Sequence, residues 1–171
     1  MLYHFIEEGF RSHIDRLGDR EYSRVLNSIV ITCVDVILLN TKGEMLLGKR
    51  SYHPAKTWWI AGGRMRPGES FEEAAVRNIK RELGLIIAPE RFSYLGTYSF
   101  VWAIRRQPPV ENGSHCVSIT MTLKVTDEEA ALIKPSEEYT ETRWWDLKLV
   151  AEDLQFLSPI RQYAREILAQ R

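Results

Sequence analysis

Between Gly62 and Leu85 the chain reads GGRMRPGESFEEAAVRNIKRELGL, which sets two adjacent glycines, a Pro67–Gly68 turn and several carboxylates in one short stretch. Adjacent glycines let backbone come close to a bulky ligand. Carboxylates on the loop-facing side of a following helix supply the hard oxygen ligands that Mg²⁺ takes while keeping several of its waters. That combination suits chemistry on a diphosphate, with Glu82 the leading metal ligand. The bland alternative is an amphipathic helix on which Glu72, Glu73, Lys80, Arg81 and Glu82 form a solvated face. A second group with chemical potential is Asp35, which interrupts the apolar run Ser28 to Leu39. A carboxylate there needs a hydrogen-bonding partner or a water-facing position.

Positioning these groups requires a helix, and its limits are well specified. Ser70 with Glu73 three residues on is a capping box, and Phe71, Ala75, Ile79 and Leu83 recur every four residues. The spacing predicts a helix over Phe71 to Leu83, ended by Gly84. A short aromatic strand, TWWIA (Thr57 to Ala61), leads into the glycines. Upstream, SIVITCVDVILL and EMLLGKR flank an NTKG turn and predict a hairpin, as do Arg91 to Ile104 and His115 to Val125 around a turn-rich loop. Ser158 as cap and Pro159 in the first turn open a C-terminal helix with a stripe of Ile160, Tyr163, Ala164, Ile167 and Leu168. Residues 1–27 read as a helical arm broken at Gly18–Asp19, with Tyr22, Val25 and Leu26 on one face.

The 171 residues contain 44% apolar and 27% charged side chains, a composition that can bury one core and excludes disorder and low-complexity repeats. Lys plus Arg and Asp plus Glu balance at 23 each, so no net field favours nucleic acid or an acidic membrane, and phosphate binding must be local. The longest apolar stretch is about half the ~20 residues a membrane helix needs. No signal peptide is visible at Met1 to Phe10, and a cytoplasmic protein is expected. Cys33 and Cys116 lie apart from any Cys or His cluster and read as buried reduced thiols.

The stretch from Gly62 resembles the box of the Nudix hydrolases, matching it at Gly63, Glu69, Arg77, Ile79, Glu82, Gly84 and Leu85 and departing from it at Asn78 and Arg81. The resemblance implies an α/β fold, a Nudix-type α/β/α sandwich with a mixed β-sheet, over residues 28–171. It places the box helix on one side of the sheet and the C-terminal helix on the other. It also implies that Glu69 and Arg77 brace the loop on the helix. The main-chain carbonyl of Gly62 joins Glu82 as a metal ligand. The departures remove acidic groups, and Arg81 adds a positive charge, so one Mg²⁺ is expected rather than several, with Mn²⁺ an open substitute.

A box weakened at these two positions is similar to that of the GDP-mannose mannosyl hydrolases, and the similarity extends over about Tyr22 to Trp145. It rests on VDVILLNTKGEMLLGKR, the Pro54–Ala55 turn, GGR at Gly62 to Arg64, RELGL at Arg81 to Leu85, and the loop from Pro135 to Trp144. This resemblance implies Mg²⁺-dependent hydrolysis of a nucleotide sugar at its anomeric carbon, releasing a nucleoside diphosphate and free sugar. Arg50 and Arg64 then neutralise the departing diphosphate, and Asp35 aligns with a substrate-binding aspartate, a structural hydrogen bond being the alternative. Glu138 and Tyr139 stand where these relatives have Gln and His. Glu138 is therefore a further metal ligand or the general base, whereas Tyr139 is a poor base. Phe100 replaces a histidine near the diphosphate, Cys116 replaces a tyrosine, and His115 is retained. Two rivals stay open: pyrophosphohydrolysis by attack at phosphorus, and a nucleotide-binding module without turnover. By the same resemblance the N-terminal arm is a homodimer contact.

Overall fold

The computed structural model describes residues 2–170. Its centre is a seven-stranded mixed sheet built on β1 (Ile31–Leu39). Along one edge β1 runs parallel to β6 (Ser114–Lys124), and β6 pairs antiparallel with β5 (Ser93–Trp102). The expected β5–β6 hairpin is present. Along its other edge β1 has two partners in succession: β4 (Ala61–Arg64) pairs with Cys33 to Val36, and β2 (Met45–Arg50) meets it at Leu39. Past that point β2 diverges and pairs instead with β3 (Trp58–Trp59) and with β7 (Tyr139–Trp145).

This divergence corrects the reading of TWWIA as one strand. Ile60 separates β3 from β4, because the first belongs to β2 and the second to β1. Asp35 faces Gly62 in the β1–β4 register, which brings the glycine loop beside the carboxylate.

Alternation along β1 sorts the core into two layers. Ile37 and Leu39 pack with Trp59, Phe156, Ile160 and Tyr163 under α5 (Ser158–Ala169), whereas Val34, Val36 and Leu38 pack with Ala75, Ile79 and Leu83 of α2 (Phe71–Leu83). Helices therefore cover both faces, as expected of the sandwich. The α2 bounds match the sequence reading. Ser70 Oγ accepts from the Glu73 amide, Glu73 accepts from the Ser70 amide, and Gly84 closes the helix in the left-handed region at φ 72°. At α5 the expectation fails in one detail. Leu157, not Ser158, is the N-cap and no side chain caps the helix, so only Pro159 in the first turn supports its start.

The arm differs more. Helix α1 spans only Asp19–Ser28, and residues 2–18 form no helix. Phe5, Ile6, Phe10 and Ile14 of this segment remain exposed. Two short helices, α3 (Asp127–Ala131) and α4 (Leu147–Glu152), complete the fold. Among the described residues no helix is long and apolar enough to cross a membrane.

Candidate active site

The sheet's β1–β4 end opens into a cleft of about 310 Å³. Asp35, Arg50, Gly62, Arg64, Arg81 and Glu138 all line it, so residues far apart in the chain meet at one place. Gly62 sits there because nothing larger fits. A Cβ on it would lie 2.6 Å from the Asp35 Cα and 2.7 Å from the Val34 carbonyl oxygen, both main-chain atoms of β1.

The loop after β4 is tied to α2 by the expected partners. Arg77 grips both carboxylate oxygens of Glu69, Nη2 to Oε2 at 2.7 Å, and donates from Nη2 to the Arg64 carbonyl at 2.8 Å. Burial would raise the Glu69 pKa, but Arg77 and the Arg66 amide outweigh it and hold the carboxyl below its ordinary value. Asn78, read from sequence only as a lost acid, is fully buried. Its amide donates to the Val34 and Gly63 carbonyls at 3.1 Å each, which pins α2 to β1 and β4.

Glu82, 2% exposed, sits behind Gly62 and Arg81, which line the cleft. Its Oε2 accepts from the Gly62 amide at 3.1 Å and from the Tyr139 hydroxyl, and its Oε1 accepts from Arg81. Burial dominates its titration and pushes the pKa up to about 7, against the lowering effects of Tyr139 and Arg81. Tyr139 crosses from β7 over Gly48, where a Cβ would come 2.9 Å from its Cγ. Burial, then the Glu82 charge, raises its hydroxyl pKa, so Tyr139 donates and does not serve as a base. Asp35 is buried, accepts from Ser118 Oγ at 2.7 Å and is pushed up to about 6 by burial, which Ser118 and Arg50 oppose. It has the structural hydrogen bond and the position in the cleft together.

Arginines and aromatic rings make the walls. Arg50 pairs with Glu138 at 3.3 Å, and its Nε is buried without a hydrogen-bond partner. Burial alone would lower its pKa, but Glu82, Tyr139 and Glu138 prevail and raise it. The Arg64 guanidinium lies 4.0 Å from the centre of the Tyr22 ring of α1, and those of Arg50 and Arg106 lie 5.3 and 5.0 Å from that of Tyr52. Arg105, 2% exposed, donates to Ser23, Asn27 and the Gly113 carbonyl, fastening the 105–113 loop to α1. Trp59, Phe100 and Trp102 pack together on the far side, with His115 held by Ser99 at 2.8 Å.

Sequence reasoning did not find Tyr22, Tyr52, Arg106 or Ser118. Only the adjacent basic pair Arg105–Arg106 was a visible signal, since the others join the site through strand register and α1 docking. The two cysteines are half-buried rather than buried and also line the cleft. Both thiols are free, and the neighbouring Cys116 together with burial raises the Cys33 pKa, while the neighbouring Cys33 lowers that of Cys116.

Gly62, Glu82 and Glu138, the groups expected to hold a divalent cation, converge, but on Arg81. Its Nη2 donates to the Gly62 carbonyl at 3.0 Å and to Glu82 Oε1, and its Nη1 lies 3.7 Å from Glu138 Oε1. Both Glu82 oxygens are thus occupied by protein donors. Among the described residues no group of three or more His, Cys, Asp or Glu is placed to hold a metal ion. In this arrangement the donor set does not fit a divalent ion.

A glycine loop braced on a capped helix lies beside a cleft walled by arginines in an α/β domain. The NUDIX domain family model matches residues 31–169, and the chain belongs to that family. Nudix hydrolases generally use a divalent metal such as Mg²⁺. The chain is similar to an ADP-ribose pyrophosphatase of Methanocaldococcus jannaschii, 34% identical over 111 residues, 64% of this chain and 59% of the relative. It is also similar to the low-salt glycan biosynthesis protein Agl8 of Haloferax volcanii, 31% identical over 84 residues, 48% of this chain and 52% of the relative. The chain thus spans less than two thirds of the length of either. Among solved structures it shares its fold with the MutT protein from Methanosarcina mazei Go1, with a TM-score of 0.66, 22% identity, and coverage of 83% of this chain and 96% of that one.

Proposed function

We propose that this chain hydrolyses a nucleoside diphosphate derivative in the arginine-walled cleft, and that its substrate class is the nucleotide sugars, of which GDP-mannose is the reference compound. The carrying observation is that Arg50, Arg64 and Arg106 line one cleft together with Asp35, Glu138 and a cluster of aromatic rings. Guanidinium groups bind diphosphate oxygens in bidentate fashion, and fixed positive charge stabilises a departing diphosphate. Asp35 and His115 serve the hydroxyl groups of the sugar or the base edge, and Trp102 and its neighbours give a flat apolar wall for a ring.

These parts support hydrolysis at carbon. The bond between the anomeric carbon and the diphosphate oxygen breaks, its electron pair leaves with the diphosphate onto Arg50 and Arg64, and water attacks the carbon. Glu138, at the cleft wall and 24% exposed, takes the proton from that water. Tyr139 and Glu82 are engaged with each other and position the floor. The glycan-biosynthesis relative supports a nucleotide-sugar substrate. A second reading, attack at phosphorus, is favoured by the relative named as an ADP-ribose pyrophosphatase.

Product analysis in ¹⁸O-labelled water separates them. GDP with label in free mannose is the expected result, while GMP with mannose 1-phosphate and label on phosphorus would establish the second reading.

A further inference from the structure

Arg81 is half-exposed at its outer side, yet its guanidinium is anchored at the point where the three candidate metal ligands meet. It donates to the Gly62 carbonyl and to Glu82, and it faces Glu138 across 3.7 Å. The other charges around that point are also accounted for. Arg50, from β2, pairs with the second oxygen of Glu138, and Tyr139 and the Gly62 amide hold the second oxygen of Glu82. Two carboxylates are therefore balanced by two guanidinium groups without any ion.

A divalent cation entering this place would need Glu82 and the Gly62 carbonyl to turn from N–H donors to a metal at ~2.1 Å, with near-octahedral geometry. It would also displace a permanently charged guanidinium and leave that charge within a few ångströms, where like charges repel. A planar guanidinium suits the site on its own terms, because it offers several N–H groups in fixed directions to separate oxygens.

We propose that Arg81 is the resident cation of this site. Its guanidinium takes the place of a divalent ion, so that the chain binds the diphosphate of a nucleoside diphosphate with Arg81, Arg50 and Arg64 and without metal. This rests on the reading of the cleft as a diphosphate site, and two measurements keep the claims apart.

The first is Mn²⁺ binding, followed by electron paramagnetic resonance without any nucleotide, for the wild-type chain, Arg81→Glu and Arg81→Gln, each checked for its fold by circular dichroism. The wild type is expected to leave Mn²⁺ free, and Arg81→Glu, which removes the cation and adds an oxygen ligand, to bind it at least about tenfold more tightly, with Arg81→Gln between them. Stoichiometric Mn²⁺ on the wild type as tight as on Arg81→Glu would overturn the proposal. So would folded variants that bind no Mn²⁺, because the guanidinium would then not be what fills the place.

The second is calorimetric binding of GDP in EDTA and in Mg²⁺. Equal affinity in both buffers is expected, and binding that appears only with Mg²⁺ would also overturn the role of Arg81. GDP that binds in neither buffer, with Mn²⁺ still excluded from the wild type, would sink the diphosphate reading of the cleft and with it the nucleotide part of the proposal. The metal-excluding role of Arg81 would then stand on the Mn²⁺ result alone.

Discussion

Asp35 and Glu82 are carboxyl groups taken out of water, and burial makes the ionised form of each costly. Asp35 is pushed from 3.8 to about 6, and Glu82 from 4.5 to about 7. Both folded values lie above the unfolded ones, so the native state binds more protons. The resulting stability is fully present below the unfolded values and is lost as pH rises through the folded ones. The thermal midpoint is therefore expected to fall between pH 3.8 and about 7. Asp35→Asn, which keeps an acceptor for Ser118, should flatten the lower part of that fall, removing a dependence of about 3 kcal/mol. Superimposable profiles for variant and wild type would show that Asp35 does not titrate there. At this scale the sequence was informative where a residue type broke a local pattern. Asp35 stood out in an apolar run, whereas its partner Ser118 comes from β6, in register with Cys33, and carried no local mark. Arg81 was legible as a departure from the box, but its approach to the Gly62 carbonyl depends on how closely α2 packs on β4.

At the scale of elements, α2 and β4 are held in a fixed relation by Glu69 with Arg77, by Asn78, and by the absence of a side chain on Gly62. Gly62→Ala would drive a methyl into the main chain of β1, a strand with three partners, and should cost about 1–3 kcal/mol in urea denaturation. Ser70→Ala should cost about 1 kcal/mol by removing the cap, with the cleft intact. A Gly62→Ala midpoint unchanged from wild type would mean that β1 and β4 can separate freely, contrary to their tight register. Helix α2 was readable to the residue because capping, periodicity and a terminating glycine are all local. The β3–β4 break at Ile60 was not, since it arises where β2 leaves β1 and two different strands claim the two halves of one apolar run. The α5 start was misread for a related reason: Ser158 has the right type, but the chain enters the helix at Leu157 with no side-chain cap.

For the whole molecule, the two core layers account for the sandwich, and of residues 2–18 Leu2 packs against the α2 layer while most of the other apolar side chains stay exposed. Tyr3, Phe5, Ile6, Phe10, Ile14 and Leu17 are each about half or more exposed, and the segment touches the site loop through Ser12 Oγ, which donates to the Pro67 carbonyl at 2.5 Å. These exposed apolar side chains mark a surface that this single chain does not cover. We propose that a second copy covers it, and sedimentation equilibrium at micromolar concentration should give a dimer that a chain lacking residues 1–17 does not form. A monomeric full-length chain would contradict this. Turnover in the cleft is tested most directly by the rate of product release from a panel of nucleotide sugars by the wild type and by Arg64→Ala. Arg64 meets Tyr22 of α1 and lines the cleft without an ion-pair partner among the described residues, so its loss should spare the fold and lower kcat/KM about 10²-fold. Turnover of at least one nucleotide sugar with that loss is the predicted result. Thermal stabilisation by the same compounds with no product from any of them, or equal rates for the two proteins, would contradict it.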